Sequence, residues 1–334
     1  MVEPIIQGMQ SQKLMSRISF TAAMLLLAIS PWLSSALVAQ TPKTTPEAGG
    51  NPTLSADKAI SLAEQGRCKE AIPALKRAMN SPGAIEAKKK DGVLGLRCSL
   101  TLDDRDSALD FINGLGHQFP NDPDVLFVLV HAYSDLSTRT AQDLGLTAPD
   151  SIPAHKLNAE ALEMQGRWGE AEREYQAMIE KAPNTPGLHY LLGRLLLSRP
   201  DADSKATDEA TQEFEKELQI DPRNAGAEYI LGVIAQQASQ WDQAIAHFSR
   251  ATKLNVNFGD AYMGLGFCLV TLKRYEAAIP PLRAAVRLEK GNPSAHYNLA
   301  TALSRLGERE EAEKEFAIQR QLTQNSAPSA GKKE

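Results

Sequence analysis

Small and large apolar residues recur along the chain at an interval of 34 residues. Residues 240–255 read QWDQAIAHFSRATKLN and residues 274–289 read RYEAAIPPLRAAVRLE, so that both place an aromatic residue, an acid and Ala-Ile in the same order. No stretch after residue 39 alternates apolar and polar residues as a half-buried strand would. The pattern therefore predicts an all-α chain built from one repeated helical unit.

Three columns of residues define the unit. A column of alanines consists of Ala71, Ala108, Ala171, Ala210, Ala244, Ala278 and Ala312. Four residues after each of them lies a large apolar or aromatic side chain, and twelve residues before most of them lies a Gly or an Ala. We expect the small residues to let two helices of one unit approach closely, and the large residues to fill the space toward the next pair.

These columns resemble the tetratricopeptide repeat, a unit of two antiparallel helices. Eight units cover most of the chain: 52–85, 86–122, 123–151, 152–185, 186–224, 225–258, 259–292 and 293–326. The resemblance implies a right-handed superhelical solenoid of about eight helix pairs over residues 54–326, stabilised by contacts between neighbouring units. It is weakest in 86–151, where the third unit is five residues short and its second helix, near STRTAQDLGL, lacks a clear match.

The N-terminus has the layout of a secretory signal peptide. Lys13 and Arg17 precede a short apolar segment that small and polar residues follow. We expect residues 1–39 to be a signal peptide, 40–53 a flexible linker and 327–334 a disordered tail, with the protein exported to the periplasm or secreted. An uncleaved membrane anchor is the alternative, although a span needs about 20 strongly apolar residues. After cleavage we expect no membrane span.

Charge and motifs exclude several functions. The formal net charge of -5 and the pI near 5.8 argue against nucleic acid as a partner. The sequence contains no metalloprotease H-E-x-x-H, P-loop or G-x-S-x-G motif, so we expect no cofactor and no metal. His155, His189 and His296 each stand fourth in their units, but stacked helices lie ~8–10 Å apart, too far to share one ion. A structural role for these histidines is favoured over a metal site.

The fifth residue of four consecutive units is Tyr190, Tyr229, Met263 or Tyr297. In tetratricopeptide-repeat proteins this place, and places four and seven or eight residues further on, generally face the concave groove. The resemblance thus implies a ligand groove for an extended peptide or a partner helix, lined by Tyr190, Arg194, Tyr229, Val233, Gln236, Met263, Phe267, Tyr297 and Thr301. The alternative is that the tyrosines only fill space between helices.

Two of the three cysteines, Cys68 and Cys98, lie where adjacent antiparallel helices meet. A disulfide between them and a pair of buried free thiols both remain open. Cys268 has no evident partner.

The sequence therefore predicts a non-catalytic scaffold that binds a protein or peptide, in a cell-envelope assembly. Two alternatives remain: an enzyme or carbohydrate-binding module that uses residues such as Glu160, His189 and Arg194, and a structural protein that assembles through its end repeats. The partner and the oligomeric state are not specified by the sequence.

Overall fold

The structure is a computed structural model that describes residues 54–200 and 202–326 as helices joined by short connections. The described part contains 15 helices and no strand. They are α1 (Ala56–Glu64), α2 (Cys68–Asn80), α3 (Ile85–Thr101), α4 (Arg105–Gln118), α5 (Pro123–Thr147), α6 (Ile152–Met164), α7 (Trp168–Lys181), α8 (Leu188–Ser198), α9 (Ser204–Ile220), α10 (Ala225–Gln237), α11 (Trp241–Leu254), α12 (Gly259–Thr271), α13 (Tyr275–Leu288), α14 (Pro293–Leu306) and α15 (Arg309–Ser326). The predicted signal peptide, linker and tail lie outside the described residues.

Consecutive helices pack as pairs, and each pair packs on the next. The pairs are α1–α2, α3–α4, α6–α7, α8–α9, α10–α11, α12–α13 and α14–α15, and the second helix of a pair also contacts the first helix of the following unit. This sequential packing is the arrangement of a helical-repeat solenoid. The predicted all-α solenoid of stacked helix pairs is therefore confirmed, with seven pairs and one single helix in the described chain.

Small residues on the first helix of a unit make room for a large side chain from the second helix. A Cβ atom added to Gly232 would lie 2.8 Å from Cδ1 of Phe248, and one added to Gly266 would lie closer still to Cδ2 of Leu282. Such separations are well inside van der Waals contact, so the two helices could not keep their distance if Gly232 or Gly266 carried a side chain. This contact fixes how closely the two helices approach.

The turn inside a unit uses one residue in the left-handed region of backbone conformation. It stands five residues before the column alanine, with φ between 55° and 88°: Gly66, Asp103, Gly166, Ser239, Lys273 and Gly307. Half of these residues are not glycine, although side chains disfavour this conformation. The fifth unit has a longer connection instead, which leaves Phe214 seated on Gly193, where an added Cβ atom would lie 3.0 Å from the ring.

The third unit departs from the predicted pair. The segment near STRTAQDLGL continues the first helix, so that α5 is one helix of 25 residues. Arg139 binds Asp135 at 2.8 Å across the place where the repeat predicts a turn, and it reaches Asp103 at 3.2 Å. Asp143 further along binds Arg105 at 2.6 Å. These ion pairs hold the second half of α5 in line with the first, past the end of α3.

None of the helices in the described ranges combines the length and the apolar character that crossing a bilayer requires.

The close contact at Gly266 makes a direct test of the packing. We expect Gly266→Leu to lower the free energy of unfolding by about 1–3 kcal/mol, because the new side chain overpacks the contact with Leu282. The matched control is Gly145→Leu, also inside a helix, where an added Cβ meets nothing within 4 Å. That variant should be neutral or more stable, since Leu has the higher helix propensity. Equal chemical denaturation curves for the two variants would contradict the packing role of Gly266.

Candidate ligand groove

The first helices of successive units touch one another in order. The guanidinium of Arg194 on α8 donates to Glu163 on α6 at 3.3 Å. The thiol of Cys268 on α12 lies 3.8 Å from Oε1 of Gln236 on α10. Tyr190 on α8 lies against Gly226 on α10, where an added Cβ would be 3.1 Å from its ring. The first helices α8, α10, α12 and α14, which carry the residues predicted to line the groove, therefore contact one another in order.

The three tyrosines of this surface each place their ring on an aromatic residue of their own second helix. The ring centroids are 5.7 Å apart for Tyr190 and Phe214, 5.8 Å for Tyr229 and Phe248, and 5.9 Å for Tyr297 and Phe316. Tyr190 and Tyr229 are half-buried, whereas Tyr297 is 53% exposed. The rings thus fill space between helices on one side and reach the surface on the other.

Tyr229 has an acidic neighbourhood. Burial, together with Asp260 and Glu289, raises the pKa of its hydroxyl, so the group stays neutral and able to donate a hydrogen bond. The carboxylate of Glu289 lies against Gly259, beside Asp260. Burial and Glu289 also raise the pKa of Asp260. The charges of Asp260 and Glu289 therefore act on the Tyr229 hydroxyl and disfavour its ionised form.

The other predicted lining residues are half-buried. Val233 and Phe267 pack against the core between α10 and α12, and Phe267 stacks with Trp241 at 6.3 Å between centroids. Met263 is also half-buried, and the hydroxyl of Thr301 donates to the backbone carbonyl of Tyr297 at 2.8 Å. The surface is thus mainly apolar, with a few polar groups held by neighbours.

The structure adds a cavity that the sequence did not predict. It lies between α3 and α5, has a volume of about 400 Å³, and is lined in part by Leu96, Leu100, Phe127, His131 and Arg97. Phe127 and His131 are the fifth and ninth residues of the third unit, the places of Tyr229 and Val233 in the sixth. Their places in the repeat could have identified Phe127 and His131 from the sequence. The repeat was difficult to align in this unit because it lacks a recognisable second helix.

The histidines tie the two helices of a unit together. Nδ1 lies 2.6 Å from a carboxylate oxygen for His155 and Glu174, 2.6 Å for His189 and Glu213, and 2.5 Å for His296 and Glu315. In the sixth unit the two residue types are exchanged, and Glu228 of the first helix binds His247 of the second at 2.7 Å. Within residues 54–200 and 202–326, no cluster of His, Cys, Asp and Glu is suited to hold a metal ion.

The three residues considered for an enzymatic site each form an ion pair or a hydrogen bond with a different residue. Glu160 is 4.0 Å from Lys156, His189 binds Glu213, and Arg194 binds Glu163. Glu163 also accepts a hydrogen bond of 2.5 Å from the hydroxyl of Tyr175. These contacts join neighbouring helices and do not converge on one space.

Cys68 and Cys98 are joined by a disulfide that links α2 to α3, with 4.9 Å between the Cα atoms. This separation lies within the usual range for the bond. Cys268 is a buried free cysteine, and burial raises the pKa of its thiol to about 12. A thiol of that kind is unreactive in the folded protein.

Two family models described as tetratricopeptide repeat match the chain. One matches residues 157–225 and 229–293, and the other matches residues 269–331. Together they cover just over half of the 334 residues. The chain belongs to the tetratricopeptide-repeat family.

Solved structures with a similar arrangement include a crystal structure of MamA, with 24% identity, a TM-score of 0.45, and 51% of this chain and 96% of that chain covered. MamA from Desulfovibrio magneticus RS-1 has 19% identity and a TM-score of 0.46, over 53% of this chain and 97% of that one. YrrB, described as a TPR protein with an unusual peptide-binding site, has 20% identity and a TM-score of 0.46, over 56% of this chain and 93% of that one. No curated protein matches the chain.

The exchanged pair in the sixth unit suggests a charge-swap test in the fourth. The His155–Glu174 pair is suitable because the second ring nitrogen of His155 makes no hydrogen bond within the described chain. We expect His155→Glu and Glu174→His each to lower the free energy of unfolding by about 1–2 kcal/mol, since each leaves two like groups facing one another. The double variant should recover most of this loss.

The control is the same exchange at the exposed Glu310–Lys314 pair, which should change stability by less than about 0.5 kcal/mol. If the double variant at 155 and 174 were less stable than either single variant, the His155–Glu174 hydrogen bond would not stabilise the helix pair.

Proposed function

We propose that the protein is a non-catalytic scaffold that binds a peptide or a partner helix along the surface of its first helices. The observation that carries the proposal is the run of aromatic and apolar residues from Tyr190 to Tyr297, which are partly buried except for the exposed Tyr297. Aromatic rings with one polar end supply contact area at low cost in conformational entropy, which suits recognition of a polypeptide. Membership of a family of interaction modules supports the same class of function.

The acidic residues near Tyr229 indicate which kind of peptide the surface would bind. Asp260 and Glu289 repel each other, and a cationic group of a ligand placed between them would relieve that repulsion. We therefore infer a ligand segment with a Lys or Arg next to an apolar or aromatic anchor. Some family members hold an acidic C-terminus through Lys, Asn and Arg, but here Lys156 is followed four residues later by Glu160. A basic ligand segment fits the groove better, and the net charge of -5 opposes nucleic acid.

We further propose that the protein works outside the cytoplasm, in the periplasm or as a secreted component of the cell envelope. The signal-like arrangement of residues 1–39 supports export. The Cys68–Cys98 disulfide supports it independently, because such bonds persist mainly in oxidising compartments.

The groove assignment can be tested by recovery of partners from an envelope fraction. We expect the variant that combines Tyr297→Ala with Asp260→Lys to lose at least about fivefold of the partner that the wild type recovers. The reason is that one change removes the exposed ring and the other reverses the charge beside Tyr229. The matched control is Glu310→Lys, a charge reversal on the exposed face of α15. Equal recovery by all three proteins would show that the ligand binds elsewhere.

The export proposal can be tested by alkylation of the protein taken from cells and denatured without reductant. We expect iodoacetamide to modify one cysteine, Cys268, and to modify all three only after reduction, since a disulfide does not react with it. Modification of three cysteines without reductant would contradict both the bond and the oxidising compartment.

A further inference from the structure

The single helix α5 has the register of a first helix. It begins at Pro123 after the capping residue Asp122, just as α14 begins at Pro293 after Asn292. The third, seventh and tenth residues are buried in both helices: Val125, Leu129 and Ala132 in α5, and Ala295, Leu299 and Ala302 in α14. In both helices this face meets the preceding unit. The residues of α5 can therefore be compared place by place with those of complete units.

In complete units, the fourth, eighth and eleventh residues face the second helix of the same unit. The fourth residue binds it, as His155 binds Glu174, and the eighth lies under its large side chain, as Gly232 lies under Phe248. The eleventh is buried, and Leu303 is 2% exposed. In α5 these places hold Leu126, Val130 and Tyr133, which are 46%, 61% and 55% exposed. The face that a second helix covers elsewhere is apolar, and no described helix covers it in the third unit.

The preceding helix α4 carries the other half of the same surface. The residue after the column alanine is buried in the first unit, where Ile72 is 6% exposed, and Ile245 packs between the sixth and seventh units. Its counterpart in α4, Leu109, is 46% exposed. Leu109 is exposed because no second helix of the third unit lies against it within the described chain. The uncovered surface thus spans α4 and α5.

A charged residue at the edge of this surface lacks the ion pair that its counterpart makes in the sixth unit. Asp242, two residues before Ala244, binds Arg274, the capping residue of the next second helix, at 3.0 Å. Asp106 stands two residues before Ala108, and in the described part of the chain the unit after α4 has no second helix that could supply such a cation. A helix seated beside α4 would therefore gain an ion pair by placing a basic residue where Arg274 stands.

We propose that Asp106, Leu109, Leu126, Val130 and Tyr133 form a docking surface for an amphipathic helix of another protein, which takes the position of the second helix of the third unit. We call these five residues the acceptor surface. It is distinct from the ligand groove, and the proposal does not depend on the function proposed for that groove. Four large apolar side chains that are about half exposed, on two helices that contact one another, form the type of patch that marks a protein interaction site.

The contacts of complete units define the chemistry of the partner helix. A Lys or Arg in its first turn would pair with Asp106, as Arg274 pairs with Asp242. A small residue four positions later would lie at the helix crossing, and a large apolar residue four positions after that would cover Val130, as Phe248 covers Gly232. The residue three positions after the small one must be apolar, because it faces Leu126, whereas four of the complete units have a histidine or a glutamate at that place.

The packing of the repeats argues against a second helix from another copy of this chain. Each second helix in the described chain already packs on the first helix of its own unit, so a folded copy has none free to donate. Four of the seven also carry Glu174, Glu213, His247 or Glu315 at the place opposite Leu126, where a polar group without its partner is unfavourable. The second half of α5 itself is held away from the surface by the ion pairs of Arg139 and Asp143. A helix from a different protein could cover the four apolar side chains and also pair with Asp106.

The test uses a fluorescent peptide with the sequence of residues 166–182 and the change Glu174→Leu, which supplies Arg167, Ala171, an apolar residue and Tyr175 in the required order. We expect this peptide to bind the full-length protein, as measured by fluorescence anisotropy. The unmodified peptide should bind at least about tenfold more weakly, because its Glu174 would face Leu126. The peptide probes the surface directly and does not require the natural partner.

Variants of the protein locate the binding site. Val130→Asp should weaken binding of the Glu174→Leu peptide at least about tenfold, and circular dichroism should show an unchanged helix content because Val130 is exposed. Tyr297→Ala in the ligand groove should leave binding unchanged. Asp106→Arg should weaken it about two- to fivefold, as expected for an exposed ion pair, and a peptide that also carries Arg167→Asp should restore it.

Several outcomes would overturn the proposal. One is no binding of the Glu174→Leu peptide to the wild type, and another is equal binding by Val130→Asp. Sedimentation that reveals a dimer dissociated by Val130→Asp would make a second copy the occupant. A photo-crosslinker attached through Leu126→Cys that reacts with residues 1–53 of the same chain would make the N-terminal segment the occupant. Either result would replace the partner helix.

Discussion

The structure depends on one contact, in which a large side chain of the second helix of a unit sits on a residue with little or no side chain in the first. Phe248 on Gly232 and Leu282 on Gly266 are examples, and each leaves no space for a Cβ atom. Because this contact fixes the rotation of the first helix about its axis, it also determines which neighbours the other faces of that helix contact. One face meets the preceding unit, and another contributes to the shared surface with its neighbours.

In four of the pairs a His–Glu interaction then helps to select a single arrangement of the two helices. The His–Glu hydrogen bond crosses between the helices near one end, and the left-handed turn residue sets the connection at the other. In the sixth unit Glu228 and His247 exchange roles without disturbing the pair, so the interaction and not the residue at a given place is what matters. The same neighbour-to-neighbour order lets the charges of Asp260 and Glu289 act on Tyr229 and raise the pKa of its hydroxyl.

The repeat could be predicted from the sequence because the contact between the two helices requires Gly or Ala at one place and a large apolar residue at another. These places recur at a fixed spacing along the chain. The sequence also indicates which residues share a surface of the first helices, since that follows from their place in the unit. It could not show that Tyr190 and Tyr229 are partly buried, because this depends on the packing of each ring against Phe214 or Phe248. The single helix α5 was wrongly predicted as a pair, because a repeat register says nothing about ion pairs such as Arg139–Asp135 and Asp143–Arg105 that keep a helix straight.

The single helix α5 also affects how strongly the unfolding of one repeat is coupled to that of the next. In a repeat protein the free energy of folding is a sum of terms within units and between neighbours, and a local transition spreads as far as the coupling remains strong. Of all consecutive helices in the described chain, α5 and α6 have the least extensive contact. We therefore expect the coupling between repeats to be weakest at residues 148–151, so that fraying that begins at α15 ends at α6 while the disulfide-linked repeats stay native.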